Sequence, residues 1–177
     1  MKKIKLDKIP SVFKNVNLSK EVLIGSKITA EEGAMVVAQA GENLGKMDSF
    51  EFVGGRMGKL IKGDIFVGVL GYRKAPVEFA GIVPKKVKAG DELSLLCESG
   101  LIGEISGVYE AWGKPMKIKI LGAVVDEKGK QVNLKQYALP KVKIDTSKKI
   151  PVICILATRM DSGKTIMACK IAHYFKQ

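Results

Sequence analysis

Met116-Lys117-Ile118-Lys119-Ile120 sets apolar and charged residues in strict alternation. Side chains of an extended strand point to opposite faces in turn, so this run places its apolar groups on one face and its ammonium groups on the other. A strand that is dry on one side and wet on the other belongs to an antiparallel sheet with one solvated face. Working outward, Val142-Lys143-Ile144 and Phe50-Glu51-Phe52-Val53 repeat the alternation. Ile65 to Leu70 is a near-continuous apolar run, Val77-Glu78-Phe79 leads to Pro84, and Glu92 to Cys97 mixes apolar and polar residues. Short strands at this spacing predict a mainly β fold, a small antiparallel barrel or sandwich over residues 1–148.

Turn residues punctuate the strands. Gly54-Gly55, Gly63-Asp64, Gly90-Asp91 and Lys128-Gly129-Lys130 supply positive φ angles or side-chain turns. Lys62-Gly63-Asp64 and Ala89-Gly90-Asp91 each launch a strand, which suggests two related halves of a barrel. The first 33 residues read less sharply. Leu18 to Ile24 fits a short helix capped by Ser19 or an edge strand, and Thr29 to Gly33 resembles one helical turn ended by Gly.

The chain has 177 residues with 30 Lys+Arg against 18 Asp+Glu, a net charge of +12. Arg56, Arg73 and Arg159 are the only arginines. A solvated Lys-rich surface accounts for that balance; the sharper reading is an anionic partner. Cys97, Cys154 and Cys169 are odd in number and lack the CxxC spacing, which points away from a disulfide framework and toward a reducing compartment. Cys154 and Cys169, in apolar surroundings, read as core thiols. No apolar segment follows the basic Met1–Leu6 stretch as a secretory signal needs, and Ile150 to Ala157 is far too short to span a bilayer, so the expectation is a cytoplasmic protein without a membrane partner.

The character of the chain changes near Lys141. Lys141, Lys143, Lys148 and Lys149 mark a polar linker. Ile150-Pro151-Val152-Ile153-Cys154-Ile155-Leu156-Ala157 follows, apolar on both faces as a buried parallel strand requires. After a loop, Lys164 to Lys176 has helical spacing, with Ala168, Ile171 and Phe175 on one face. Residues 149–177 therefore form a strand, a loop and a first helix. The loop Ala157-Thr158-Arg159-Met160-Asp161-Ser162-Gly163-Lys164-Thr165 ends as the Walker A pattern G-x-x-x-x-G-K-[ST] does, with Thr158 at the place of its first Gly. In that pattern loop amides and the helix N-terminus cradle phosphate, Gly163 lets backbone approach, Lys164 reaches the β- and γ-phosphates, and the Thr165 hydroxyl holds Mg²⁺.

The run from Ala157 to Thr165 resembles the Gly-Thr-x-x-x-x-Gly-Lys-Thr loop of dethiobiotin synthetase and cobyrinic acid amidase-like P-loop enzymes. Thr158 matches the Thr of that loop, and Ala157 stands in place of its Gly. The stretch from Gly55-Arg56-Met57 through Gly71-Tyr72-Arg73-Lys74 is similar to the N-terminal part of uncharacterised bacterial and archaeal P-loop proteins. The resemblance implies ATP or GTP with Mg²⁺ as ligand, held by Thr158, Ser162, Gly163, Lys164 and Thr165.

No apolar strand ending in Asp follows the helix, so hydrolysis by this chain alone is not expected, and no catalytic residue is assigned. A lone strand and helix cannot bury both faces of the strand, which leads to the expectation of a longer ATPase, with a further C-terminal domain or a protein partner. The alternative is a non-enzymatic β-barrel binding module with an idle loop. Tyr72-Arg73-Lys74 and Tyr109 to Lys114 place aromatics beside cations, the chemistry that holds single-stranded nucleic acid, although such aromatics more often plug the end of a barrel. His173, the only His, reads as solvated.

Overall fold

The alternating run at 116–120 feeds the longest strand of a computed structural model, which describes residues 1–74, 78–141, 147, 151–158 and 162–176. The chain divides into two units, Met1–Leu139 and Pro140–Gln177. The strands of the first are β1 (Lys2–Lys5), β2 (Glu21–Gly25), β3 (Met35–Ala40), β4 (Ser49–Glu51), β5 (Met57–Lys59), β6 (Ile65–Leu70), β7 (Phe79–Ile82), β8 (Glu92–Cys97), β9 (Leu101–Val108) and β10 (Lys117–Val125). The fold is mainly β, with one α-helix among the described residues, α1 (Lys164–Phe175), in the second unit.

The pairings close a ring. β10 pairs with β3, β3 with β6, β6 with β9, β9 with β8, and β8 with β10 again. β2 pairs with β10 through Ala123–Val125, β1 lies outside β2, and β7 pairs with the far half of β9. β4 and β5 form a separate hairpin. The sheet is mixed rather than antiparallel throughout, because β6 and β9 run parallel. Parallel neighbours need a long crossover, and residues 71–100, which include β7 and β8, supply it.

Two cores sandwich the central strands. Val36, Ala38, Phe66, Leu70, Ile118 and Ile120 point into the barrel with Leu95 and Ile102. Met35, Val37, Val67 and Val69 point the other way, where Leu6, Phe13 and Val16 of the N-terminal segment cover them. That segment crosses as a 3-10 turn at Ser11–Phe13.

The two Gly-Asp turns are built alike. Gly63 N donates to Ala40 O at 2.8 Å, and Ala40 N donates to Asp64 O at 2.9 Å. Gly90 N donates to Ile120 O at 2.8 Å, and Ile120 N donates to Asp91 O at 2.9 Å. Asp64 Oδ2 accepts from Ile61 N at 2.6 Å, and Asp91 Oδ2 accepts from Lys88 N at 2.9 Å. Gly63 has φ 95° and Gly90 φ 99°, the left-handed region that L side chains avoid. Exchanging Ala40 with Ile120, and Ala38 with Ile118, maps the β3/β10 register onto itself, with Gln39 opposite Lys119 at its centre. The repeat in the sequence is thus a local twofold in hydrogen bonding.

Several expectations resolve. β6 and β8 have the expected bounds. Leu18 to Ile24 is not a helix: it leads into β2, and Ser19 Oγ accepts from Glu21 N at 3.1 Å at the strand's start. Thr29 to Gly33 is a turn closed by Ala34 N donating to Glu31 O at 3.1 Å, with Gly33 at φ 87°. The strand expected at Val142-Lys143-Ile144 lies outside the described residues.

In the second unit, residues 151–157 form no strand, and Val152 and Leu156 are 76% and 87% exposed. An apolar run becomes a buried strand only against neighbours that take its backbone hydrogen bonds and cover its faces. For the same reason Cys154 and Cys169 are exposed rather than core thiols. The helix falls where its period placed it, yet none of its residues is buried. No helix among the described residues is long and apolar enough to cross a membrane.

Candidate functional site

Gly163 sits at the head of α1 with φ 77° and ψ 9°, a left-handed residue leading into right-handed ones. Such a junction turns successive backbone N–H groups to one side, the geometry of an anion-binding concavity. Met167 N donates to Gly163 O at 2.9 Å, so the helical ladder begins at the glycine. Gly163 brings no side chain to cap the first turn, and among the described residues a Cβ there would meet nothing within 4 Å. The first turn carries no acidic residue, which leaves the positive end of the helix dipole uncompensated by a carboxylate on the helix itself.

Ser162, Gly163, Lys164 and Thr165 are contiguous at this helix end, with Lys164 half-buried and Ser162 and Thr165 exposed. Thr158 is exposed in a bend four residues ahead of Ser162. Arg159, Met160 and Asp161, the middle of the loop, lie outside the described residues. His173 is exposed on the helix, its ring 6.1 Å from that of Tyr174.

The β-unit offers a different surface. Among the described residues no polar or charged residue is buried, so the barrel interior is packing alone. A cavity of about 590 Å³ in this unit includes Asp7, Lys8, Lys14 and Lys20 in its lining. Two of these serve the fold: Asp7 Oδ2 accepts from Ile65 N at 2.8 Å, and Lys8 pairs with Asp64. Trp112, in a 3-10 turn at Glu110–Trp112, packs against the barrel core. Tyr72 and Tyr109 do not plug the barrel: they are 56% and 50% exposed.

Arg73 ties this region together. Its guanidinium pairs with Glu78 and donates to Leu96 O at 2.6 Å and Phe79 O at 3.3 Å. Glu98 lies in its field. Partial burial pushes the Glu98 carboxyl above the usual carboxylate value, Glu78 and Glu51 push the same way, and Arg73 opposes them. Folded Glu98 therefore holds its proton to higher pH than unfolded Glu98, and stability falls as pH rises from the ordinary value near 4.5 through the raised one. Glu98→Gln removes that penalty. The variant should be more stable than the wild type at neutral pH, and the gap should close as pH drops to about 4. Urea unfolding of both proteins across that range checks it; a constant gap would mean that the carboxyl's charge is not the cause.

No family model, curated protein or solved structure matches the chain.

Sequence reasoning named Tyr72, Arg73, Lys74 and Tyr109 but passed over Ile82, Lys85 and Lys86. Ile82 is an exposed apolar residue on β7, and Lys85 and Lys86 follow within four residues. The signal was present in Ile82-Val83-Pro84-Lys85-Lys86, where an outward-facing Ile runs into paired lysines.

Proposed function

We propose that the chain binds the phosphates of a nucleoside triphosphate, ATP or GTP with Mg²⁺, at the amino end of α1. The observation that carries the reading is left-handed Gly163 leading into helical Lys164 and Thr165. Those residues fit the ligand. Backbone amides and the helix dipole favour an anion, the Lys164 ammonium neutralises phosphate charge, and the exposed Thr165 hydroxyl is a hard oxygen ligand suited to Mg²⁺. Thr158 and Ser162 flank the same loop and would add hydroxyl contacts.

Binding and hydrolysis are separate matters here. The described residues of 151–176 contain no carboxylate to position water, so a group that does so must come from outside them. Exposed Val152, Leu156 and Phe175 call for a covering protein surface, a partner or a further domain, and that surface is where we place the missing carboxylate.

Titration of the full chain with Mg-ATP and Mg-GTP in a calorimeter tests the reading. Saturable binding should vanish in Lys164→Ala, and Thr165→Val should weaken binding only when Mg²⁺ is present. Ligand at a hundred times Kd should stabilise the protein by about 2.7 kcal/mol. Absence of binding at millimolar nucleotide, or undiminished binding by Lys164→Ala, would remove the proposal.

A further inference from the structure

The β7/β9 ribbon carries an exposed face that the barrel does not use. Tyr72, Ile82 and Tyr109 are large apolar side chains at 56%, 44% and 50% exposure. The ribbon holds its shape without a covering partner. Arg73 N donates to Gly81 O and Gly81 N donates to Arg73 O, each at 2.9 Å, so the segment carrying Tyr72 is bound to the edge of β7. Between them lies a cavity of about 460 Å³ lined by Tyr72, Arg73, Lys74, Gly81, Ile82 and Ser106.

The charge around this cavity is mostly of one sign. Lys74, Lys85 and Lys86 are exposed, and among the described residues none of them takes part in a salt bridge. Val83 and Pro84 are buried and fix the path from Ile82 to Lys85. Lys85 and Lys86 follow Ile82 by three and four residues, which span at most about 11 Å and about 14 Å, so both lysines stay near the end of β7. Glu78 is paired with Arg73, and two exposed carboxylates lie on the same ribbon, Glu104 opposite Ile82 in the register and Glu110 next to Tyr109.

We infer that this face binds single-stranded nucleic acid, with bases stacking on Tyr72 and Tyr109 and phosphates running past Lys74, Lys85 and Lys86. Flat exposed tyrosines beside lysines suit a base with its own phosphate, because stacking accepts any base and the ammonium groups neutralise the backbone. An acidic peptide would use the lysines but has no stacking partner for the tyrosines. Lysines in place of Arg forks favour backbone charge over bidentate base reading, so little sequence preference is expected. The face includes no residue of α1, and the inference does not depend on the nucleotide proposal.

Fluorescence anisotropy of the full chain with labelled 12-nucleotide rU and dT oligomers lacking a 5′-phosphate tests it, with Mg-ATP present to occupy the helix site. Tyr72→Ala should weaken binding about tenfold or more, in keeping with the value of one stacked base. Lys85→Ala/Lys86→Ala should weaken it and flatten the salt dependence, since each lost phosphate contact removes about 0.7 from the log–log slope. Lys164→Ala should leave oligomer binding unchanged. All four replaced positions are exposed or half-buried, so each variant should fold, and circular dichroism checks that it does. Equal binding by Tyr72→Ala, loss of binding in Lys164→Ala, or equally tight binding of poly-Glu would overturn the inference.

Discussion

Phe66→Ala is expected to lower the stability of the β-unit by about 4 kcal/mol, the middle of the range for removing a buried Phe. The ring is fully buried in the barrel. It meets Phe50 edge to face, with centroids 5.4 Å apart at 80°, a contact worth about 1 kcal/mol beyond area burial. The surroundings cannot collapse into the space it leaves. Ala38 faces it across β3, and Gly68 is the next residue of β6 on the same side. Small neighbours on rigid strands preserve the cavity, and the cavity adds its own cost to the lost transfer energy. Against a typical total of about 5–15 kcal/mol, this is about a quarter or more of the stability. Urea unfolding followed by the fluorescence of Trp112, which packs on the same core, should show the midpoint fall with an unchanged slope. Phe52→Ala, at a partly buried position, should cost clearly less. A loss below about 2 kcal/mol for Phe66→Ala would mean that the barrel does not close around this ring.

How much of this was legible depends on what each segment packs against. β6 and β8 were readable to the residue because a Gly-Asp turn launches each one. β10 announced itself through the alternation at 116–120, where lysines face water. β3 gave no such sign. Met35-Val36-Val37-Ala38-Gln39-Ala40 buries both faces, one in the barrel and one under the N-terminal segment, so period-2 polarity disappears in the most central strand. β9 hid for another reason. Gly103 interrupts it because a Cβ there would lie 2.7 Å from Ile82 O, and a glycine inside a strand reads as a break. The parallel β6/β9 pairing has no local signature at all, since it depends on where the chain returns after thirty residues.

The second unit shows the converse. Its helix was legible from a 3.6-residue period and its glycine from the Gly-Lys-Thr motif, both local properties. The strand before it was misread because an apolar run states only what a segment would bury, not that a neighbour is there to bury it. The contrast bears on function. Gly163, Lys164 and Thr165 owe their arrangement to one helix turn, so the binding part of the proposal needs nothing from elsewhere in the fold. Arg73 is the reverse: its partners Glu78, Phe79 and Leu96 come from a loop, β7 and β8, and no spacing in the sequence could have assembled them.

Asp64→Ala should cost about 3 kcal/mol and Asp91→Ala only about 1, although the two residues do the same work in matched turns. Each carboxylate accepts a backbone N–H from three residues earlier, which closes the turn before β6 or β8. Only Asp64 does more. Its Oδ2 lies 2.5 Å from Lys8 Nζ, and both side chains are largely screened from water, at 16% and 19% exposure. Lys8 also donates to Lys59 O, so one ammonium joins the N-terminal segment, the β4/β5 hairpin and the β6 turn. Removing the carboxylate leaves that ammonium partly desolvated with one neutral acceptor, and this penalty is what Asp91→Ala lacks. The local twofold supplies the control: subtracting the Asp91 effect from the Asp64 effect cancels the turn and leaves the ion pair. Asp64→Asn keeps an acceptor for Ile61 N while discarding the charge, so it should fall between the two alanine variants. In the background of Lys8→Met the difference between Asp64→Ala and Asp91→Ala should shrink to within about 0.5 kcal/mol. If urea unfolding finds the two alanine variants equal in the wild-type background, Lys8 is a surface lysine that contributes nothing, and the N-terminal segment is held by Leu6, Phe13 and Val16 alone.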